Sequence, residues 1–102
     1  MLEYRIDEFI VKRVKRGWVV VNTKGGYKNH SHFCFSKKAA VRCAIYAARR
    51  IIRPSEGHYM LEACYRVSTD ARYRQRLKKR MERLESDACK GAKENYINFV
   101  FV

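Results

Sequence analysis

At Ser36 the hydrophobic period of this 102-residue chain changes from two to about 3.6, and that switch constrains the fold more than any other feature. Before it, residues 4–14 alternate well enough for a strand and are enriched in Val, Ile and Phe. Lys15-Arg16-Gly17 reads as a tight turn, and Trp18-Val19-Val20-Val21 is a short, strongly β-prone run. Lys24-Gly25-Gly26 reads as a second turn, because glycine reaches positive φ without steric cost. His30 to Phe35 then alternates as a third strand. Three strands joined by two short turns predict an antiparallel meander.

After the switch, Ser36 is a suitable N-cap and Lys37 to Ile52 has helical periodicity. Ala40, Val41, Ala44, Ile45, Ala47, Ala48, Ile51 and Ile52 fall on one broad face, and its many alanines let the helix lie close to a sheet. Arg53-Pro54-Ser55 ends it, since the residue before proline avoids the α region. His58 to Val67 predicts a short helix. Ser68 or Thr69 then caps a longer one reaching about Cys89, with Gly91 as its stop. Tyr73, Leu77, Met81, Leu84 and Ala88 make a narrow apolar stripe, so that helix buries one side. Tyr96 to Val102 is apolar on both faces and predicts a strand that joins the sheet or offers an edge to a partner, including a second copy of the chain. The expected fold is a single α+β domain over residues 1–102, a small antiparallel sheet (the meander plus the C-terminal strand) packed against two or three helices.

A hydrophobic fraction of 47% with thirteen aromatic residues is enough for a packed core and excludes a disordered basic tail. Cys34, Cys43, Cys64 and Cys89 form no CxxC pair, and residues 1–20 contain no apolar signal-peptide core. No apolar run approaches the roughly 20 residues needed to span a bilayer. The expected setting is the cytoplasm, with free thiols that are mostly buried and no contact with membrane.

Charge points to the partner. From Phe9 to Ser55 the chain carries twelve Lys or Arg residues and no Asp or Glu, within a net charge of +13. One-signed charge over nearly half a domain is self-repulsive and is commonly read by a polyanion, of which a nucleic-acid backbone is the commonest. On the first long helix Lys38, Arg42, Arg49 and Arg53 fall within about a 60° sector, bordered by Tyr46, which would stack on a base. Ser36-Lys37-Lys38 brings a capping hydroxyl, free backbone N–H groups and two ammonium groups together, an arrangement suited to an anion. On the last helix Arg72, Arg76 and Lys79 belong to a basic cluster near the N-terminal end, against the preference of the helix dipole. With the hairpin bases Lys12, Arg13, Lys15 and Arg16, these are the expected phosphate contacts. The readout would be of backbone and shape, since no base-reading module is evident.

Two resemblances bear on this reading. Ser36-Lys37-Lys38-Ala39-Ala40, with Ala44 and Ala47-Ala48, resembles the opening of the last helix of double-stranded RNA-binding domains. The resemblance implies that Lys37 and Lys38 touch phosphates. It covers only Ser36 to Ala48, has Val41 where that family carries a further lysine, and leaves no room upstream for the family's first helix. It therefore implies a shared local solution and not membership. His30 and His32 alternate on one strand face, a pattern similar to the paired metal-binding histidines of HUH nucleases. That resemblance implies a divalent metal, with Tyr46 or Tyr73 as nucleophile, though Ser31 stands where a hydrophobic residue is usual. Cys34 is about 13 Å from His30 along the same face, too far to complete one site.

There is no P-loop, GxGxxG or GxSxG, and the few acidic residues sit at the two ends. The expected function is thus non-catalytic binding of RNA, DNA or a ribonucleoprotein, without a cofactor. The alternative is a small inhibitor of the phage or mobile-element kind, anti-CRISPR-like, that docks on an acidic protein surface or a nucleic-acid-handling complex. A metal-dependent nuclease using His30 and His32 is the third reading.

Overall fold

The computed structural model describes the backbone of residues 3–101 and the side chains of residues 3–86. The elements run β1 (Glu3–Ile6), β2 (Phe9–Val14), β3 (Gly17–Asn22), α1 (Gly26–Asn29), β4 (Ser31–Cys34), α2 (Lys37–Arg49), α3 (His58–Val67) and α4 (Ala71–Phe101). The four strands form an antiparallel meander in the order β1-β2-β3-β4, and the fold is α+β.

The stretch expected as one strand over residues 4–14 is a hairpin. Ile6 pairs with Phe9 across a two-residue turn in which Asp7 takes a φ of 52°. Aspartate tolerates that left-handed conformation, and with no Gly or Pro in the turn the alternation runs through it without interruption. Gly26, with φ 81°, opens the single-turn α1 where the sequence predicted only a turn.

Cross-strand register sorts the side chains into two faces. Tyr4, Ile6, Phe9, Val11, Arg13, Trp18, Val20, Asn22, His32 and Cys34 share one. α2 packs on this face against β2 and β3, α3 packs against β4, and α4 lies on α3. The core is built there from Phe9, Val11, Val20, Cys34, Ala40, Cys43, Ala44, Leu61, Cys64, Val67, Tyr73 and Leu77. Burial of Cys34, Cys43 and Cys64 as free thiols agrees with the sequence reading. Buried Asn22 links two layers: its amide donates to Val67 O at 2.9 Å, and its carbonyl accepts from the Lys24 N–H.

Ser36 caps α2 as expected, its hydroxyl accepting from Ala39 N–H at 3.1 Å. The helix stops at Arg49, however, and not near Ile52. Arg50 adopts the left-handed C-cap conformation (φ 57°, ψ 43°), held there by Glu8 at 3.2 Å and Asp70 at 3.8 Å. Helix α3 matches its predicted span. α4 is capped by Asp70, not by Ser68 or Thr69: Asp70 Oδ1 accepts from Tyr73 N–H at 2.7 Å, while Ser68 serves as the C-cap of α3.

The expected C-terminal strand is a correction. α4 continues past Gly91 to Phe101, so residues 96–101 add no strand to the sheet, and the homodimer contact proposed through it loses its basis. An internal glycine costs a helix only about 1 kcal/mol, less than starting a new element, and α4 leads away on the layer remote from the sheet. Among the described residues no helix is long and apolar enough to cross a membrane.

Candidate nucleic-acid interface

Arg76, Lys79, Arg80 and Arg83 follow the i, i+3, i+4, i+7 spacing that places side chains on one helix face. They lie beside the row of buried Tyr73 and Leu77 and partly buried Leu84. The turn after α2 comes up against this face, and together they enclose an open cleft of about 560 Å³ lined by Ile52, Pro54 and the four cations. Hydrogen bonds hold the turn after α2 to α4. Arg80 Nη2 donates to Pro54 O at 2.6 Å, and the Tyr73 hydroxyl sits 2.8 Å from Ile51 O and 3.3 Å from Tyr46 O. Burial pushes the Tyr73 phenol far above its ordinary value, so it stays a donor.

No carboxylate among the described residues lies within ion-pair distance of Arg76, Lys79, Arg80 or Arg83. The Arg80 Nε donor is buried and has no partner. Arg72 stands exposed one turn earlier on the same face. Arg76 to Arg83 spans about 10 Å of helix axis, close to three backbone steps along one strand of a duplex.

Tertiary structure also alters the acid-free run. Acids from outside it fold back onto three of its twelve cations: Glu8 reaches Lys24 and Arg50 at 3.2 Å each, and Glu56 pairs with Arg42. Arg42, expected to touch phosphate, is therefore already partnered. Tyr46, expected to stack on a base, is buried, with its ring beneath the guanidinium groups of Arg42 and Arg53 at 5.5 Å each. An aromatic bordering a helix stripe faces inward when the next segment folds over it, which periodicity within one helix does not reveal.

The remaining candidates separate into two groups. Arg49 is exposed at the end of α2, and Arg53 is exposed between the cleft-lining Ile52 and Pro54. Lys12, Arg13, Lys15 and Arg16 lie on β2 and its turn to β3. Lys37 begins α2 but is held to the sheet: its ammonium donates to Tyr4 Oη at 2.7 Å and sits 4.3 Å from that ring's centre. Arg13 lies 5.8 Å from the Trp18 ring centre. Lys38 is exposed, with no carboxylate among the described residues within ion-pair distance. The cations of α4 and those of the hairpin thus come from separate layers of the fold.

The histidines are not arranged as strand neighbours. His30 is the C-cap of α1, its ring against Gly25, where an added Cβ would fall 1.9 Å from a ring carbon. His32 is in β4, packed edge-on to Tyr59. Desolvation lowers its pKa, with Arg66 adding to the shift and Glu62 opposing it. The Tyr59 phenol is pushed up to about 12, first by burial and then by its hydrogen bond to Cys34. Among the described residues no group of three His, Cys, Asp or Glu side chains is placed to hold a metal ion.

Arg80 and Arg83 were not among the predicted contacts, although their spacing from Arg76 and Lys79 is legible in the sequence. What the sequence lacks is the wall formed by Ile52 and Pro54, which turns an exposed row into a cleft. Comparison with protein-family models, with curated proteins and with solved structures finds no match.

Proposed function

We propose that this protein binds nucleic acid through its phosphate backbone, without catalysis of its own. The observation that carries the proposal is the cleft of Arg76, Lys79, Arg80 and Arg83, four cations drawn together with no carboxylate among the described residues within ion-pair distance of them. Concentrated uncompensated positive charge is self-repulsive and gains when a polyanion releases its counterions on binding. Tethered Arg80 fixes the shape of the site, and Arg76, Lys79 and Arg83 supply mobile charge. A guanidinium can take two phosphate oxygens at once, which favours arginine in such a site.

The test is affinity for naked RNA and DNA against salt concentration. If about five phosphates are neutralised, log K should fall against log salt with a slope of about −4.5 on duplex DNA and about −3.5 on a single strand. A flat salt response, or capture that requires a protein partner and ignores naked nucleic acid, would overturn the proposal and favour the inhibitor reading.

A further inference from the structure

The sheet face opposite the helices carries a second apolar strip, of which Val19 is buried and the rest is partly open. Register places Ile10, Val14, Val19, Val21 and Phe33 on it, together with Arg5, Lys12 and, directly opposite Lys12, Glu3. Its most exposed end is aromatic. Phe33 on β4 is 38% exposed, and Phe35, just beyond the strand, is 80% exposed. The two rings meet edge to face, with centres 5.0 Å apart and planes at 88°.

Phe33 is not a loose surface side chain. A Cβ on Gly17 would fall 2.6 Å from the tip of its ring, so the ring lies directly over the glycine backbone. The absence of a side chain at Gly17 makes the seat in which Phe33 rests. Phe33 in turn presents its ring edge or face to Phe35, and the perpendicular contact leaves much of the Phe35 ring open to solvent.

The surroundings of this pair are cationic. Lys15 and Arg16 form the turn that leads into Gly17. Lys38 is exposed at the start of α2, three residues after Phe35. Lys12 is paired with Val19, which is paired with Phe33, putting it about 10 Å away across the same face. None of these four has a carboxylate among the described residues within ion-pair distance. An apolar partner surface would gain nothing from that ring of charge, whereas a nucleotide strand matches both parts: π-faces for the rings and phosphates for the ammonium and guanidinium groups.

We infer that Phe33 and Phe35 form a stacking platform for unpaired bases, which makes single-stranded nucleic acid the preferred ligand. The inference rests on the nucleic-acid reading proposed above and narrows it. A duplex hides its base faces, so the platform discriminates single strand from duplex, while the α4 cleft does not. Stacking is tolerant of base identity, so the preference is for strandedness and not sequence.

The closing experiment uses the whole chain and Phe35→Ala, whose exposed position leaves the fold intact. Fluorescence anisotropy is read on an oligo-dT or oligo-rU strand of about 20 nucleotides, longer than one stacking site of roughly 4–16 nucleotides, and on a duplex of the same length. Phe35→Ala should weaken single-strand binding by about fivefold to a hundredfold, from the usual contribution of one stacked base, and duplex binding by less than about twofold. Its salt slope should not change, because no charge is lost. Phe35→Trp should keep single-strand affinity, with indole emission quenched on binding. Unchanged single-strand affinity in Phe35→Ala, or equal losses on both ligands, overturns the platform while leaving the backbone-binding reading in place. So does a dimer of the wild type that Phe35→Ala converts to monomer, which would assign the strip to self-association. Failure of the wild type to bind any naked strand or duplex overturns both.

Discussion

Replacing Arg76, Lys79 and Arg83 together by glutamine removes three exposed charges from the α4 cleft while retaining Arg80, whose guanidinium holds Pro54 O. Lys, Arg and Gln have similar helix propensity, so α4 should keep its length and the core rows of Tyr73 and Leu77 should be undisturbed. If each lost cation had neutralised one phosphate, the salt slope on duplex DNA should become shallower by about 3 × 0.9, or roughly 2.7. Extrapolated from about 1 M salt, where the electrostatic term vanishes, to about 0.1 M, the same three contacts account for about 2.7 decades of affinity, or several hundredfold. On a single strand the figure is about 2.1 decades. The assay is anisotropy across a salt series, with circular dichroism to establish that the variant is folded. A folded triple variant with the wild-type slope would refute the assignment of the cleft. If a matched Lys12, Lys15 and Lys38 triple lost the slope instead, the hairpin side of the fold would be the principal backbone site.

Three further predictions concern the scaffold. Tyr73→Phe removes the hydroxyl that meets Ile51 O and Tyr46 O, and urea denaturation should show a loss of about 1–3 kcal/mol; no loss would mean water replaces it. Gly17→Ala places a methyl group 2.6 Å from Cys34 O and from the Phe33 ring, so a thermal melt should show destabilisation of about 1–3 kcal/mol, with Phe33 displaced. His32 has a lowered pKa in the folded protein, principally from burial. As pH falls below the ordinary value of about 6.5, the unfolded chain takes up a proton that the folded one resists, so stability should decline from there until the folded pKa is passed. In His32→Phe, which keeps an aromatic against Tyr59, that step in the stability–pH curve should be absent; an identical curve would show that His32 does not contribute to it.

Much of the scaffold is legible in the sequence wherever one element supplies its own signal. The Ser36 cap, the alanine-rich face of α2, the span of α3 and the Tyr73–Leu77 stripe are local patterns, and the fold keeps each of them. The departures come where neighbouring signals compete. The β1–β2 turn has no Gly or Pro and passes as continuous alternation, with Asp7 accepting the positive φ. Arg50 ends α2 early because Glu8 and Asp70, distant in sequence, hold its side chain there. Residues 96–101, with strong β preference, continue α4, because local propensity is a weak bias against extension of a helix already formed.

By itself the sequence determined the α+β class, the excess of positive charge, and the presence of basic rows at helical spacing, because composition and periodicity are properties of consecutive residues. Tertiary structure decided which of those charges are left to act. It brought Glu56 onto Arg42 and Glu8 onto Lys24 and Arg50, buried Tyr46, and set Ile52 and Pro54 against Arg76, Lys79, Arg80 and Arg83. It also seated Phe33 on Gly17 and left Phe35 open. The physical reason is range: an ion pair or an aromatic contact acts over a few ångströms in space, and the folded chain, not the order of residues, sets which groups come that close.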